Sequence, residues 1–205
     1  MAPDPIIHVV DDDQSVREAV RSLLESVGLS ARLYESTTQF LEAKAWSDPG
    51  CVLLDVRLPG GSGLDFQSRM AGLGIFLPVI LITGHGDIPM SVRGMKSGAV
   101  DFLTKPFRDQ DLLDAVATAL DRDRERRAAS AGIDELRARF ATLSQREREV
   151  MRLVSAGKMN KQIAGDLDIS EVTVKIHRGA AMRKMGARTL PDLVRMADLL
   201  AGAAD

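Results

Sequence analysis

Cysteine is nearly absent from this sequence. Cys51 is the only one in 205 residues, so no intramolecular disulfide can form. It opens an apolar run, where a small thiol reads as a buried packing residue. No apolar stretch approaches the roughly 20 residues that a membrane-spanning helix needs. The N-terminus has no basic segment followed by an apolar one, so no signal peptide is expected. Histidine is scarce, and His8, His85 and His177 share no metal-ligand spacing, which argues against a zinc site. Low-complexity tracts and internal repeats are lacking as well. Together these absences favour a cytoplasmic protein with no membrane partner.

What is present is globular in composition, 45% hydrophobic, and long enough for two domains. The net charge of −2 is unevenly divided. Residues 1–120 hold 10 Lys and Arg against 16 Asp and Glu, whereas residues 121–205 hold 17 against 13. An acidic first half suits a cation site, and a basic second half suits a polyanion. A solvated helical surface explains the small basic surplus equally well.

Through the first 120 residues, short apolar runs alternate with helical periodicity. Strands are expected at 6–10, 30–34, 51–54, 78–82 and 100–104, and helices at 14–27, 36–44, 64–73, 88–97 and 109–121. Continuous apolar strands such as Val79-Ile80-Leu81-Ile82 indicate burial on both faces. Five βα units then make a doubly wound five-stranded parallel sheet. Gly28, Pro59-Gly60-Gly61 and Gly98 punctuate the repeats. Residues 122–141 mix charge with good helix formers and read as a solvated helical connector. From residue 142 onward the pattern is all-α, with helices expected at 145–156, 160–167, 171–185 and 190–201.

Chemistry-bearing residues gather at the expected carboxyl ends of strands, where parallel α/β sheets place their sites. Asp11 and Asp12 follow the first strand, Asp55 ends the third, Thr83-Gly84 end the fourth, and Lys105-Pro106 follow the fifth. Three clustered carboxylates repel one another unless a cation neutralises them. Mg2+ prefers oxygen ligands and keeps several waters, so Asp11, Asp12, Asp55 and the backbone carbonyl of Arg57 would suffice. Asp13 caps the following helix or joins the cluster, and the pattern leaves both open. The Thr83 hydroxyl and the Lys105 ammonium are placed to meet phosphoryl oxygens on Asp55, with Gly84 leaving room for the incoming group. A cis bond before Pro106 would aim Lys105 inward. His8, on a buried strand, reads as structural.

The order Asp11-Asp12, Asp55-Val-Arg-Leu-Pro-Gly-Gly-Ser-Gly63, Thr83-Gly84 and Lys105-Pro106 resembles the receiver domain of two-component response regulators, over about residues 5–120. The resemblance implies a flavodoxin-like fold, Asp55 as phosphoacceptor, Asp12 as a direct Mg2+ ligand and Asp11 as one reached through water. It implies phosphoryl contacts from Thr83 and Lys105, and Phe102 as an aromatic that follows Thr83 inward. On residue grounds alone, Phe102 is equally a half-buried strand aromatic. Phosphorylation would pull Thr83 and the loop Gly84-His85-Gly86-Asp87 towards the new charge. The helix at 88–97 would then shift on a surface that relatives use to dimerise. Met90, Val92 and Met95 lie there, where ordinary core is the plainer reading.

In the second half, Ser144 and Glu147 have capping-box spacing before Val150, Met151, Leu153 and Val154, and Gly157 closes that helix. Two short helices then flank Ile169-Ser170-Glu171, a helix-turn-helix pattern with Ser170 as cap. Leu-Ser-Gln-Arg-Glu-Arg-Glu-Val, Asn-Lys-Gln-Ile-Ala and Ile-Ser-Glu-Val-Thr-Val-Lys-Ile-His-Arg resemble the LuxR/FixJ-type output domain, over about residues 140–200. That implies helix 171–185 in the major groove, with Lys175 and Ile176 nearest the bases and Lys161, Thr173 and Arg178 meeting phosphates. Gly179 stands where some relatives carry another groove-facing Lys, and Ala180 where Asn is common. His177 contacts DNA or packs. Leu190, Leu193, Val194 and Ala197 recur at helical spacing as core, on a helix through which relatives dimerise.

The expectation is a transcriptional response regulator and not an enzyme. Its receiver is residues 1–121, its connector 122–141 and its helix-turn-helix output domain 142–205. The implied partners are a histidine kinase, promoter DNA and a second copy on phosphorylation, with RNA polymerase as a further candidate. An aspartyl-phosphate hydrolase would also use strand-end carboxylates with Mg2+. It would place an acid/base carboxylate two residues after the nucleophile, where this chain has Arg57. A DNA-binding protein indifferent to phosphorylation is the other rival.

Overall fold

The computed structural model describes residues 3–84 and 88–202. Contacts divide the chain into two compact units between Arg126 and Arg127. His85, Gly86 and Asp87 of the expected switch loop lie outside the described residues.

The first unit holds β1 (Ile6–Val10), β2 (Ser30–Tyr34), β3 (Gly50–Asp55), β4 (Val79–Thr83) and β5 (Asp101–Thr104). They form one parallel sheet in the order β2-β1-β3-β4-β5. The chain reverses its direction of winding between β1 and β3, the switch point where such sheets place their sites. Residues of alternating parity face opposite layers. Ile7, Val9, Cys51, Leu53, Ile80 and Ile82 meet one hydrophobic layer, whereas Val10, Val52, Leu54, Val79 and Leu81 meet the other. The first layer packs under α1 (Gln14–Ser26) and the start of α5 (Asp109–Ala141). The second packs under α2 (Thr37–Ala43), α3 (Gly63–Met70) and α4 (Ile88–Lys96).

Asp13 caps α1, accepting from the Ser15 and Val16 amides. Gly28 and Gly98 follow α1 and α4 as expected. Two glycines are required by close approach. A Cβ on Gly50 would stand 1.9 Å from the Ile6 carbonyl oxygen, and one on Gly63 2.1 Å from that of Asp55.

Two expectations need correction. The helix at 109–121 and the connector at 122–141 are one unbroken helix, α5, because no residue from 109 to 141 interrupts helical hydrogen bonding. Nor is the connector solvated at its start. Asp123 is buried, its carboxylate accepts from the Gly50 amide at 3.1 Å, and Arg126 donates to it at 2.6 Å. On α4, Met90 packs half-buried against the core, but Val92 and Met95 are exposed together with Ile88.

The second unit contains the end of α5, then α6 (Gln145–Ser155), α7 (Asn160–Leu167), α8 (Glu171–Met185) and α9 (Leu190–Gly202). Ser144 and Glu147 make the full capping box, and Lys184 donates to Glu147 at 2.7 Å. Val150, Met151, Ile163, Val174, Ala181, Met185 and Leu193 form the core, joined by Leu136 and Phe140. Of the four positions expected inward on α9, Leu193 is buried, Val194 and Ala197 are half-buried, and Leu190 is exposed. Only one side of α9 meets the core, so the helix keeps a second apolar edge that includes Leu199. Among the described residues, no helix is long and apolar enough to cross a membrane.

His8 has 0% exposure and sits between Tyr34 and Phe40, bonded to the Tyr34 hydroxyl at 3.1 Å. Burial, helped by nearby Arg32, pushes its imidazole down from 6.5 to about 4. The unfolded chain therefore binds a proton at higher pH than the folded one. His8-linked stability is fully present above about pH 6.5 and declines as pH falls towards 4, by about 3 kcal/mol in all. The stability gap between the wild type and His8→Leu in urea should shrink over that range. A gap independent of pH would contradict a buried neutral imidazole. In the second unit, a Cβ at Gly179 would meet, among the described residues outside its own helix backbone, Arg183 Nη1 at 3.6 Å and nothing nearer. Gly179→Ala should therefore raise the unfolding free energy by about 1 kcal/mol in denaturant titration.

Candidate functional site

At the carboxyl edge of the sheet, strand register brings four elements together. Val10 pairs with Leu54, Asp55 with Ile82, and Thr83 with Thr104. The residues that end or follow these strands therefore share one shallow basin. Asp11 and Asp55 are buried, Asp12 is exposed, and their carboxylate oxygens lie within 4.8 Å of one another. Lys105 reaches across from β5, with Nζ 2.5 Å from Asp11 Oδ2 and 3.0 Å from Asp55 Oδ2.

Backbone donors hold the remaining carboxylate oxygens. The Asp13 amide donates to Asp11 Oδ1 at 3.0 Å, and the Arg57 amide to Asp55 Oδ1 at 3.1 Å. The Lys105–Pro106 bond is cis, and the Lys105 amide donates to the Thr83 carbonyl at 2.7 Å. Thr83 is fully buried, Gly84 is exposed, and among the described residues no heavy atom lies within 4 Å of where a Gly84 Cβ would stand. Phe102 is half-buried and packs on the layer that also receives Met90.

Among the described residues, three carboxylates face one ammonium here. Burial pushes the Asp11 carboxyl above its ordinary range, with repulsion from Asp55 adding and the Lys105 contacts opposing. Burial alone would lower the Lys105 ammonium. Its hydrogen bonds and attraction to Asp11 and Asp55 outweigh that, so it sits above the ordinary value and stays charged. An all-oxygen donor set with one solvent-facing member, Asp12, fits a hard divalent cation that retains waters. Beside it, an open cleft of about 570 Å³ is lined by Asp12, Arg57, Leu58, Ser62, Met90 and Arg93.

Two contacts, one beside this basin and one at the far end of α4, escape sequence reading. Arg17, one turn into α1, donates to the Asp11 carbonyl at 2.7 Å and fixes the backbone that presents the acidic pair. Gln67 on α3 donates to the Gly94 and Ser97 carbonyls, tying α3 to the end of α4.

In the second unit, α7 and α8 are joined by a short turn in which Asp168 is left-handed. Ser170 caps α8 and bonds the Thr173 hydroxyl at 2.8 Å. Val174, Ala181 and Met185 point into the core. Lys161, Lys175 and Ile176 are exposed, and Thr173 and His177 are half-buried. Arg178 is held by Asn160 Oδ1 at 3.1 Å, which orients its guanidinium between α7 and α8.

Comparisons with known proteins agree with both units. The response regulator receiver domain profile matches residues 7–117, and the profile of bacterial regulatory proteins of the luxR family matches residues 141–197. Nodulation protein W of Bradyrhizobium diazoefficiens is 54% identical over 195 residues, covering 95% of this chain and 86% of that protein. The transcriptional regulatory protein FixJ of Azorhizobium caulinodans is 47% identical, covering 97% of this chain and 93% of its own length. The solved structure of the response regulator StyR is similar at a TM-score of 0.82 and 45% identity, over 96% of this chain and 99% of that one. With the acidic basin in one unit and the helix-turn-helix in the other, the chain belongs to the two-component response regulators of the FixJ type, transcriptional regulators that join a receiver to a LuxR-family DNA-binding domain.

Proposed function

We propose that Asp55 accepts a phosphoryl group from a histidine kinase, and that this charge converts the protein into a promoter-binding homodimer. The observation that carries the proposal is the pair of contacts from Lys105 to Asp11 and Asp55 at the strand edge. The receiver acts as residues 1–121 with the first turn of the 122–141 connector packed onto it through Asp123, and the output domain as 142–205 with the connector's end packed onto it through Leu136 and Phe140.

Asp55 attacks the phosphorus of the donor phosphohistidine. An O–P bond forms, the P–N bond breaks, and the imidazole leaves with uptake of a proton. Asp12, Asp55 and the Arg57 carbonyl, with Asp11 reached through water, would hold a Mg2+ ion, which would supply positive charge to offset that on the transferring group. The Arg57 amide on Asp55 Oδ1 orients the nucleophile. The Lys105 ammonium exchanges a carboxylate partner for a phosphoryl oxygen, which carries more charge. Thr83 supplies a hydroxyl from the neighbouring strand end, and the side chain missing at Gly84 leaves space for the group.

Movement of Thr83 towards the phosphoryl group draws the following loop and α4 with it, and Phe102 adjusts in the half-buried space beside them. Ile88, Val92 and Met95 on that helix are already exposed, a surface ready to be covered by a second copy. Dimerised receivers raise the local concentration of two output domains, so paired half-sites bind more tightly than single ones. On DNA, Lys175 and Ile176 face bases, whereas Lys161, Thr173 and Arg178 meet phosphates. A homodimer placed at a promoter this way acts in the cytoplasm and sits within reach of RNA polymerase.

Treating the full chain with an acyl-phosphate donor and Mg2+ should add the mass of one phosphoryl group at Asp55 and raise the dimer fraction in sedimentation. Asp55→Asn should gain neither, and label retained on another aspartate would refute the assignment. Lys175→Ala should weaken specific DNA binding by about 1–3 kcal/mol. An equal loss on random DNA would reassign Lys175 to phosphate contact.

A further inference from the structure

On the DNA-binding reading above, we infer that Val172 and Ile176 form an apolar reading pair on α8, and that the operator of this protein presents thymine 5-methyl groups to them. Val172 is 66% exposed and Ile176 63% exposed, although both belong to a helix whose Val174, Ala181 and Met185 are fully buried. Single exposed apolar residues are ordinary on any surface. Here the arrangement is what distinguishes them.

At about 100° per residue, Val172, Ile176 and Gly179 fall within about 60° of one another around the helix, with Lys175 at the margin of the same face. The core residues occupy the opposite side. The face therefore reads apolar, cationic, apolar and then bare, since at Gly179 nothing but the Arg183 guanidinium lies within 4 Å of an added Cβ. A helix with this edge can approach the floor of a groove closely at Gly179 while two branched side chains project ahead of it.

The partner chemistry follows from what the major groove offers. Its floor displays donors and acceptors, and the one apolar group among them is the thymine methyl. Val and Ile in a helix have essentially one χ1 rotamer, so their methyl surfaces are already oriented and lose little entropy on contact. Val172 and Ile176 are one helical turn, about 6 Å, apart along the axis. That spans about two base steps at 3.4 Å each, so the two thymines should lie about that far apart in a half-site. Lys175, between them, is placed for the guanine edge or phosphate that separates the two methyl contacts.

The test begins with DNA recovered from a random pool by the full-length phosphorylated protein. Each thymine in the selected half-site is then replaced by uracil, which keeps the pairing and removes only the methyl. Two positions should each lose about fourfold in affinity, as expected for one buried methyl. Val172→Ala should abolish the penalty at one of them and Ile176→Ala at the other. Both side chains project from the exposed face, and an unchanged melting temperature will confirm that each variant folds. Selective binding that is indifferent to uracil throughout, or uracil penalties undiminished in both variants, would overturn the inference while leaving DNA binding intact. Recovery of no selected DNA at all would instead overturn the DNA-binding reading and this inference with it.

Discussion

The carboxylates of Asp11 and Asp55 lie within 4.8 Å of each other in a buried setting, and the contacts of the strand-end basin are arranged around that repulsion. At an effective dielectric of about 20, such a pair repels by about 3–4 kcal/mol. Lys105 offsets it by donating to both, and backbone amides from residues 13 and 57 take the other oxygens. A third carboxylate, Asp12, remains facing solvent. Among the described residues, the pocket thus holds more negative charge than Lys105 can balance, a donor set that fits a hard divalent ion. Stability here is spent on charge that a purely structural site would avoid.

Position in the fold turns this local electrostatics into a signal. The Lys105 amide is hydrogen-bonded to the Thr83 carbonyl, so the strand-end residues of β4 and β5 that border the basin are mechanically joined. β4 leads directly into α4, and α4 is held to α3 through Gln67 and to the sheet through Gly94, where a Cβ would stand 2.4 Å from Leu81 Cδ1. A helix clamped at Gly94 and exposed at Ile88, Val92 and Met95 can respond to its N-terminal loop without unpacking its far end. At the opposite edge of the sheet, the buried Asp123 carboxylate ties α5 to the first amide of β3. Removing either partner would strand a buried charge or an unsatisfied amide, so the first turns beyond the expected end of the receiver belong to its structure.

Most of this was legible in the sequence because the signals were redundant. The central strands β3 and β4 are apolar runs ending in Asp55 and Thr83, and β1 and β5 lead straight into Asp11 and Lys105. Period, length and punctuation therefore agreed on five strands, and the end residues marked the basin. The capping box at Ser144 and Glu147 and the cap at Ser170 were equally explicit, since each needs only local spacing. The failures are long-range. Asp123 sits in a run of alternating charges that by composition belongs in water, and only its distant partner at Gly50 reveals its burial. The break expected after residue 121 rested on a change of composition, but a helix ends only where backbone geometry or a cap ends it. No such stop occurs before residue 141. Arg17 and Gln67 carry no pattern at all, because each serves a single backbone carbonyl group or pair that the fold brings near.

The output domain divides its labour in a different way. On α8, burial of Val174, Ala181 and Met185 fixes which face is left for DNA, and Arg178 is fastened to Asn160 so that α7 and α8 present their cations together. What remains on the free face carries little charge, with one lysine, two branched apolar residues and a glycine. A face of that kind gains little from phosphate attraction alone, which every sequence supplies equally. Its discrimination must come from groups that differ between base pairs, and for apolar side chains that difference is a methyl group present on thymine and absent elsewhere. Affinity would then reside in Lys161, Arg178 and the paired copies of the domain, and selectivity in a small apolar surface. On that reading, substitutions at 172, 176 and 179 would alter half-site preference and leave the buried face of α8 untouched.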